Sequence, residues 1–339
     1  MRRHRIALLP GDGIGTEVCR AARVTLEAIP DPDLSFEFTE LPMGLVALES
    51  EGDPLPQSTI DQARAADAVL HGATDASSIA PGIRPPLSGL RRELGCFASV
   101  RPSVSIPGVD AVHTDVDLVV IRELTEGTYS KIEFEIQDAV CTVRVTSRAA
   151  TQRVARLALE YARTRRRHVT VVHKRAGVPR GDSFWLEVIA DVAVEFGDVT
   201  VRTANVDAVA HDLVRAPQEF DVILAENLNG DILSDVAAAV TGGLPLAASA
   251  CIGAQWAYFE PVHGSAPTIA GLGKANPAGT MLASAMLLEH IGETGAADRL
   301  RRAVKLALAD PSARTADLGG SASTDEFTAA VVGALCEPL

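Results

Sequence analysis

The sequence predicts an α/β protein with a largely parallel sheet. Three observations lead there: apolar strand-like runs alternate with helical stretches, no run reaches the roughly 20 apolar residues of a membrane span, and the 339-residue chain is 47% apolar and 22% charged, an ordinary globular mixture. The strand-like runs, in order, are Ile6 to Leu9, Ala68 to Leu70, Leu118 to Ile121, Val169 to Val172 and Val222 to Ala225. Between Tyr129 and Val145 the pattern changes. Ile132, Phe134 and Ile136 alternate with polar residues and Val140, Val143 and Val145 follow, which reads as an antiparallel ribbon, either an arm between subunits or an edge hairpin. There is no fixed-period repeat, and no linker separates two independent domains.

The first glycine-rich segment, Leu9-Pro10-Gly11-Asp12-Gly13-Ile14-Gly15-Thr16-Glu17, follows the first strand. Its alternating glycines match neither the dinucleotide fingerprint nor a P-loop, so a tight strand-to-helix turn capped by Thr16 explains it equally well. The basic cluster Arg163, Arg165, Arg166, Arg167 and His168 falls between a helical pattern and a strand, and reads as a solvated helix end. A formal net charge of -13 argues against a general nucleic-acid partner. The five cysteines are scattered and odd in number, with neither metal nor redox spacing. They and the absence of a signal peptide point to the cytoplasm.

Chemistry is concentrated in a few places. Asp231 and Asp235 are four apart at a helix start, so their carboxylates share one face and repel unless a cation lies between them. Oxygen-only ligands suit Mg2+ or Mn2+, although an acidic turn complementing the helix dipole has the same look. Asp207 is available to complete an oxygen shell; His211 and Asp212 nearby read as surface residues. Arg91, Arg101 and Arg122 stand where arginine forks can grip carboxylates, and together they imply a di- or tricarboxylate substrate. Lys174 closes a strand, and with Tyr129 it is the candidate for proton transfer. The loop from Phe259 through Pro267 to Thr268, Asn276 and Pro277 is rich in small residues that let a nucleotide approach the backbone.

These segments together resemble one family, the metal-dependent β-decarboxylating dehydrogenases acting on isopropylmalate, isocitrate, homoisocitrate and tartrate. The resemblance runs in order over nearly the whole chain, through LLPGDGIGTE, LRREL, VRP, RELTEGTY, VVHK, FDVILAENLNGDILSD, FEPVHGSAP and RTADLGG. It implies a two-domain fold distinct from the Rossmann fold, with mixed sheets flanked by helices and a β arm or hairpin at a dimer interface. Residues 1–97 plus 247–339 would form the dinucleotide-binding domain, and residues 98–246 the central domain with the interface and metal-site residues.

The resemblance also implies roles. Arg91, Arg101 and Arg122 would hold the malate carboxylates, with Leu87 and Ser88 in the segment that sets substrate choice. Asp207, Asp231 and Asp235 would bind Mg2+ or Mn2+, with Lys174 and Asp207 contributed by the partner of a homodimer that shares its active sites. Lys174 would take the 2-hydroxyl proton and Tyr129 would protonate the enolate left by decarboxylation. Glu260, His263, Gly264, Ser265, Ala266, Thr268 and Asn276 would line the dinucleotide site. Thr268 replaces the aspartate usual in NAD-using members, but an NADP-type lysine is absent and the RTADLGG tail favours NAD, with NADP as the alternative. Arg175 and Ala176 depart from the usual alanine and asparagine. In the segment Ala80 to Gly89, Leu87 is apolar while Arg84 and Ser88 offer polar contacts, a mixture that with Arg175 and Ala176 raises a 3-substituted malate other than isopropylmalate itself; among the family's substrates an isopropylmalate-like one stands ahead of homoisocitrate or isocitrate. The alternatives are homoisocitrate or isocitrate, simple oxidation of tartrate or malate, and a catalytically silent regulatory subunit; no membrane or nucleic-acid partner is expected.

Overall fold

The computed structural model describes residues 1–80 and 82–337. The chain forms two compact units: residues 1–95, 106–110 and 242–339 make the first, and residues 96–105 and 111–241 the second. The strands in chain order are β1 (Arg2–Gly11), β2 (Leu34–Glu40), β3 (Ala68–Ala73), β4 (Cys96–Val104), β5 (Asp117–Glu123), β6 (Gly127–Ile136), β7 (Ala139–Val145), β8 (His168–His173), β9 (Thr200–Asn205), β10 (Val222–Ala225), β11 (Ala248–Gly253) and β12 (Ala257–Pro261). The five runs read as strands from the sequence are all strands; β2, β4, β9, β11 and β12 carry too little uniform apolar character to stand out. All six residues of β3 are buried, as expected of a strand covered on both faces.

In the first unit the strand order is β2-β1-β3-β12-β11. β1 runs parallel to β2 and β3, β12 parallel to β3, and β11 antiparallel to β12. Helices Gly15–Glu27, Ala278–His290, Thr294–Ala309 and Thr324–Leu335 bury Leu26, Met281, Leu288, Leu300, Val304 and Phe327 in one core. In the second unit the order is β4-β5-β10-β8-β9, parallel except for β4. Its helix Arg148–Arg163 is capped by Ser147, whose hydroxyl accepts the Ala150 N–H at 3.3 Å. Ala150, Val154, Ala155, Ala158, Leu159 and Ala162 recur at helical spacing on its buried face.

β6 and β7 pair only with each other. The ribbon expected between Tyr129 and Val145 is therefore a free-standing arm rather than a sheet edge, and it leaves Ile132, Phe134, Ile136 and Val140 exposed.

Two local expectations are corrected. Thr16 does not cap the first helix, which begins at Gly15 with Ile14 at the cap position and no side-chain cap. The turn is held instead by backbone: Gly11 and Gly13 have φ of +72° and +59°, and the Ile14 N–H donates to the Ser265 carbonyl at 2.8 Å. The basic cluster is not simply solvated either. Arg165 donates to Asp221 at 2.8 Å and to Asp117 at 2.8 Å, because Asp221 is buried and a carboxylate out of water needs a paired cation. Among the described residues no helix is long and apolar enough to cross a membrane.

Candidate active site

In the second unit, strand β10 ends at Ala225 and helix Asn227–Val240 begins behind it. Glu226 caps that helix, accepting the N–H groups of Leu228 at 3.3 Å and Asn229 at 2.9 Å. Asp231 and Asp235 follow one turn apart. Arg101, from β4, reaches both: its Nη1 lies 3.3 Å from Asp231 and 3.8 Å from Asp235, and it donates to Ser234 Oγ at 2.7 Å while Nε donates to Ser99 Oγ at 3.1 Å. Arg122, from the end of β5, forks onto Asn227 Oδ1 at 3.0 and 2.8 Å and turns its remaining nitrogen to Asp231. That approach needs Gly230, since a Cβ there would stand 2.8 Å from the Arg122 Cβ.

Tyr129, from β6, donates its hydroxyl to Asp231 Oδ2 at 3.1 Å and lies under the Arg122 guanidinium at 5.5 Å. One carboxylate thus gathers two arginines and a phenol. Burial, then the neighbouring Asp231 carboxylate, raises the Tyr129 pKa, which keeps the hydroxyl protonated and able to donate. Burial also raises Asp235; Arg101 opposes that shift and Asp231 adds to it.

Lys174 follows β8 and pairs through Nζ with Asp207, in the first turn of helix Val206–Arg215. The lysine pulls the Asp207 pKa down. The Lys174 backbone N–H donates to Asp182, a fully buried carboxylate whose other oxygen meets Arg144 Nη2 of β7 at 2.7 Å. His211 and Asp212, as expected, lie on the exposed surface and pair with each other at 2.9 Å.

The described residues of one chain hold no cluster of three His, Cys, Asp or Glu side chains suited to a metal. Asp207 therefore does not complete the Asp231–Asp235 pair within a single chain. The donor set still fits Mg2+ or Mn2+ as half a site, because such ions bind through one or two carboxylates plus substrate oxygens and water.

In the first unit, Arg91 stands in the last turn of helix Pro86–Glu93 and is braced from β12. Its Nε donates to the Tyr258 hydroxyl at 2.7 Å and its Nη2 meets Glu260 Oε1 at 3.0 Å; Tyr258 in turn donates to that same oxygen at 3.0 Å. Glu260 is thus committed to Arg91. Leu87 and Ser88, half-buried, precede Arg91 on the same helix, and the Ser88 hydroxyl donates to the Pro85 carbonyl at 3.1 Å. Pro81, in the segment before them, lies outside the described residues.

A cavity of about 650 Å³ in this unit is lined by Ile14, His263, Gly264, Ala266, Asn276 and Asp317, among others. Asn276 donates to Asp317 at 3.0 Å. The His263 Nε2 is buried and has no hydrogen-bond partner among the described residues, and burial pushes the imidazole pKa down, so the ring is neutral. A buried ring nitrogen without a partner in a cavity of ligand size fits a heteroaromatic ligand such as a nucleotide base. Ala266 holds φ of +39°, and strain of this kind concentrates at ligand-binding loops. Ser265 is buried beneath the loop and Thr268 is exposed.

Sequence reasoning missed Asn227, Ser99, Ser234, Arg144, Asp182 and Tyr258 as supporting residues. Asn227 and Ser234 lay inside the acidic stretch and were legible as neighbours. The others come from three separate strands and, for Asp182, from helix Pro179–Ala193, and nothing in their local spacing marks them.

The Isocitrate/isopropylmalate dehydrogenase family model matches residues 5–331. The chain is 44% identical over 334 residues to the isocitrate/homoisocitrate dehydrogenase of Thermus thermophilus, covering 98% of each. It is 40% identical over 332 residues to the 3-isopropylmalate dehydrogenase of Archaeoglobus fulgidus, covering 98% of this chain and 99% of that one. The crystal structure of isocitrate dehydrogenase from Methylococcus capsulatus superposes with a TM-score of 0.92 at 39% identity, covering 98% of this chain and all of the other. The chain belongs to the isocitrate/isopropylmalate dehydrogenase family, and is an oxidoreductase acting on a CH–OH group with decarboxylation.

Proposed function

We propose that the protein catalyses the NAD-dependent oxidative decarboxylation of a 3-substituted malate, isopropylmalate-like, to a 2-oxo acid, with Mg2+ or Mn2+, as a cytoplasmic homodimer. The observation that carries the reading is the gathering of Arg101, Arg122 and Tyr129 on Asp231, with Asp235 one turn away. Arginine forks and paired carboxylates in one place suit a substrate that is both an anion and a metal chelator.

In this reading Arg91, Arg101 and Arg122 hold the substrate carboxylates. Asp231 and Asp235, with Asp207 of a second copy, hold the divalent ion, which when bound supplies Lewis-acid stabilisation of the 2-oxygen. Lys174 of that second copy accepts the 2-hydroxyl proton, and nicotinamide, when bound, would supply the hydride acceptor. Tyr129, protonated at neutral pH, donates to C3 after carbon dioxide leaves. His263, Gly264, Ala266 and Asn276 line the cavity assigned to the nucleotide, and Glu260, Ser265 and Thr268 are assigned to the same ligand. The second copy is supported by the single-chain pairing of Lys174 with Asp207 and by the exposed apolar arm, which has the character of an unfilled interface.

The test is NADH absorbance with Mg2+ or Mn2+ against isopropylmalate, homoisocitrate, isocitrate, tartrate and malate. Turnover is expected with isopropylmalate-type substrates, abolished by EDTA and restored by Mn2+, and Tyr129→Phe and Lys174→Met each lower kcat at least a hundredfold. Full turnover by both variants would refute the proton assignments, and no turnover of any malate would favour a silent subunit. The Thermus relative keeps homoisocitrate and isocitrate as the second reading, and the same panel decides between them.

A further inference from the structure

Helix Pro86–Glu93 has two unlike faces. At 100° per residue, Leu87 and Arg91 fall on one side and Gly89 and Glu93 on the other. Arg84, in the turn that enters the helix, lies on the Gly89 side: its Nη1 meets Glu93 Oε1 at 3.3 Å. A Cβ on Gly89 would stand 2.4 Å from the Arg84 Nε and 2.7 Å from its Nη2, so the guanidinium crosses the helix where there is no side chain.

Glu93 is itself anchored. Arg64 donates to its carbonyl at 2.6 Å and its carboxylate at 3.0 Å, and stacks on Trp256 at 5.4 Å. The Trp256 Nε1 donates back to the Arg64 carbonyl at 3.0 Å. Arg84 is thus fastened to an anchored carboxylate.

Resting on the proposed function, we infer that Arg84 is a positioning residue and not a substrate ligand: strapped across Gly89 to Glu93, it sets the turn into the helix and leaves Leu87 and Ser88 beside Arg91 to meet a C3 substituent that carries no charge. Arg84 is the only cation between Ile79 and Leu90, and Glu93, whose carboxylate it shares with Arg64, holds it on the face away from Leu87 and Arg91. A carboxylate on C3 would meet an isobutyl group and a hydroxyl already donated to Pro85, and would lose its hydration without a compensating cation. An alkyl substituent loses nothing there.

The test compares wild type, Arg84→Gln, Gly89→Ala and Glu93→Gln on two substrate groups: isopropylmalate and methylmalate, with neutral C3 substituents, and isocitrate and homoisocitrate, with anionic ones. Wild type is expected to favour the neutral group at least tenfold in kcat/KM. The three variants should raise KM several-fold for both groups alike, preserving that ratio within twofold. A wild-type preference for the anionic group, or a selective tenfold loss of anionic substrates in Arg84→Gln, would overturn the inference. Thermal melting provides a readout free of substrate. The Arg84→Gln/Glu93→Gln double variant should melt no lower than the worse single one, whereas additive losses would mean no strap exists. If no malate reacts, the proposed function fails, and melting still decides the strap.

Discussion

Replacing Arg144 with methionine tests the support behind Lys174. Asp182 is fully buried, with one oxygen on Arg144 Nη2 at 2.7 Å and the other accepting the Lys174 N–H. Without the guanidinium, a carboxylate out of contact with water keeps a single amide donor. Removing one partner of a buried pair costs about 3–5 kcal/mol. The Arg144 side chain is 17% exposed, so some water can follow the vacated space and the low end, about 3 kcal/mol, is expected. With a urea m-value of about 2 kcal/mol/M, the midpoint falls by about 1.5 M. Trp185 reports the change locally, since it lies in the helix that carries Asp182 and donates its Nε1 to the Val172 carbonyl at 3.2 Å. Fluorescence-monitored urea unfolding in a Trp256→Phe background therefore follows the right element. The diagnostic partner is Arg144→Met/Asp182→Leu, which removes both charges and should recover most of the loss, because an apolar pair in place of a buried ion pair is close to neutral. A midpoint shift below about 0.3 M for Arg144→Met, a surface-like cost, would refute the reasoning, as would a double variant no more stable than the single one.

Three further outcomes are expected. Tyr258→Phe removes the acceptor on Arg91 Nε, and with charged hydrogen bonds worth about 1.5–3 kcal/mol, KM for the malate should rise about tenfold with little change in kcat; steady-state kinetics showing KM within twofold would contradict the brace. Gly13→Ala should weaken NADH binding, measured by nucleotide fluorescence, because the residue holds φ of +59° and its Cβ would stand 2.0 Å from the Ser265 carbonyl that anchors the loop. Burial holds His71 and His263 neutral with pKa values below the ordinary histidine range, so the unfolded chain binds their protons more readily. Their stabilising effect is complete above about pH 6.5 and lost as pH falls through the folded values. Melting temperature should be flat from pH 8 to 7 and fall below pH 6.5, and His263→Gln should shallow that fall.

The sequence alone determined the alternation of strands and helices, because the runs at Ile6, Leu118, Val169 and Val222 are buried on both faces and therefore uniformly apolar. It also singled out the residues that the structure gathers at Asp231. Asp231 and Asp235 share a helix face by spacing, and Arg101, Arg122 and Tyr129 stand in stretches whose composition betrays them. Strands such as β2, β9 and β11, partly exposed or rich in small residues, carried no such mark. What the tertiary structure decided was partnership. Nothing local to Arg144, Asp182 or Tyr258 indicates that one steadies the lysine and another the arginine, since each bond joins residues brought together only by packing. Likewise Arg84 looked free to meet a substrate until the path of its guanidinium over Gly89 was known. Local spacing fixes which face a side chain occupies, but the partner that satisfies a buried charge is chosen by the fold, because only there does losing water make a distant neighbour indispensable.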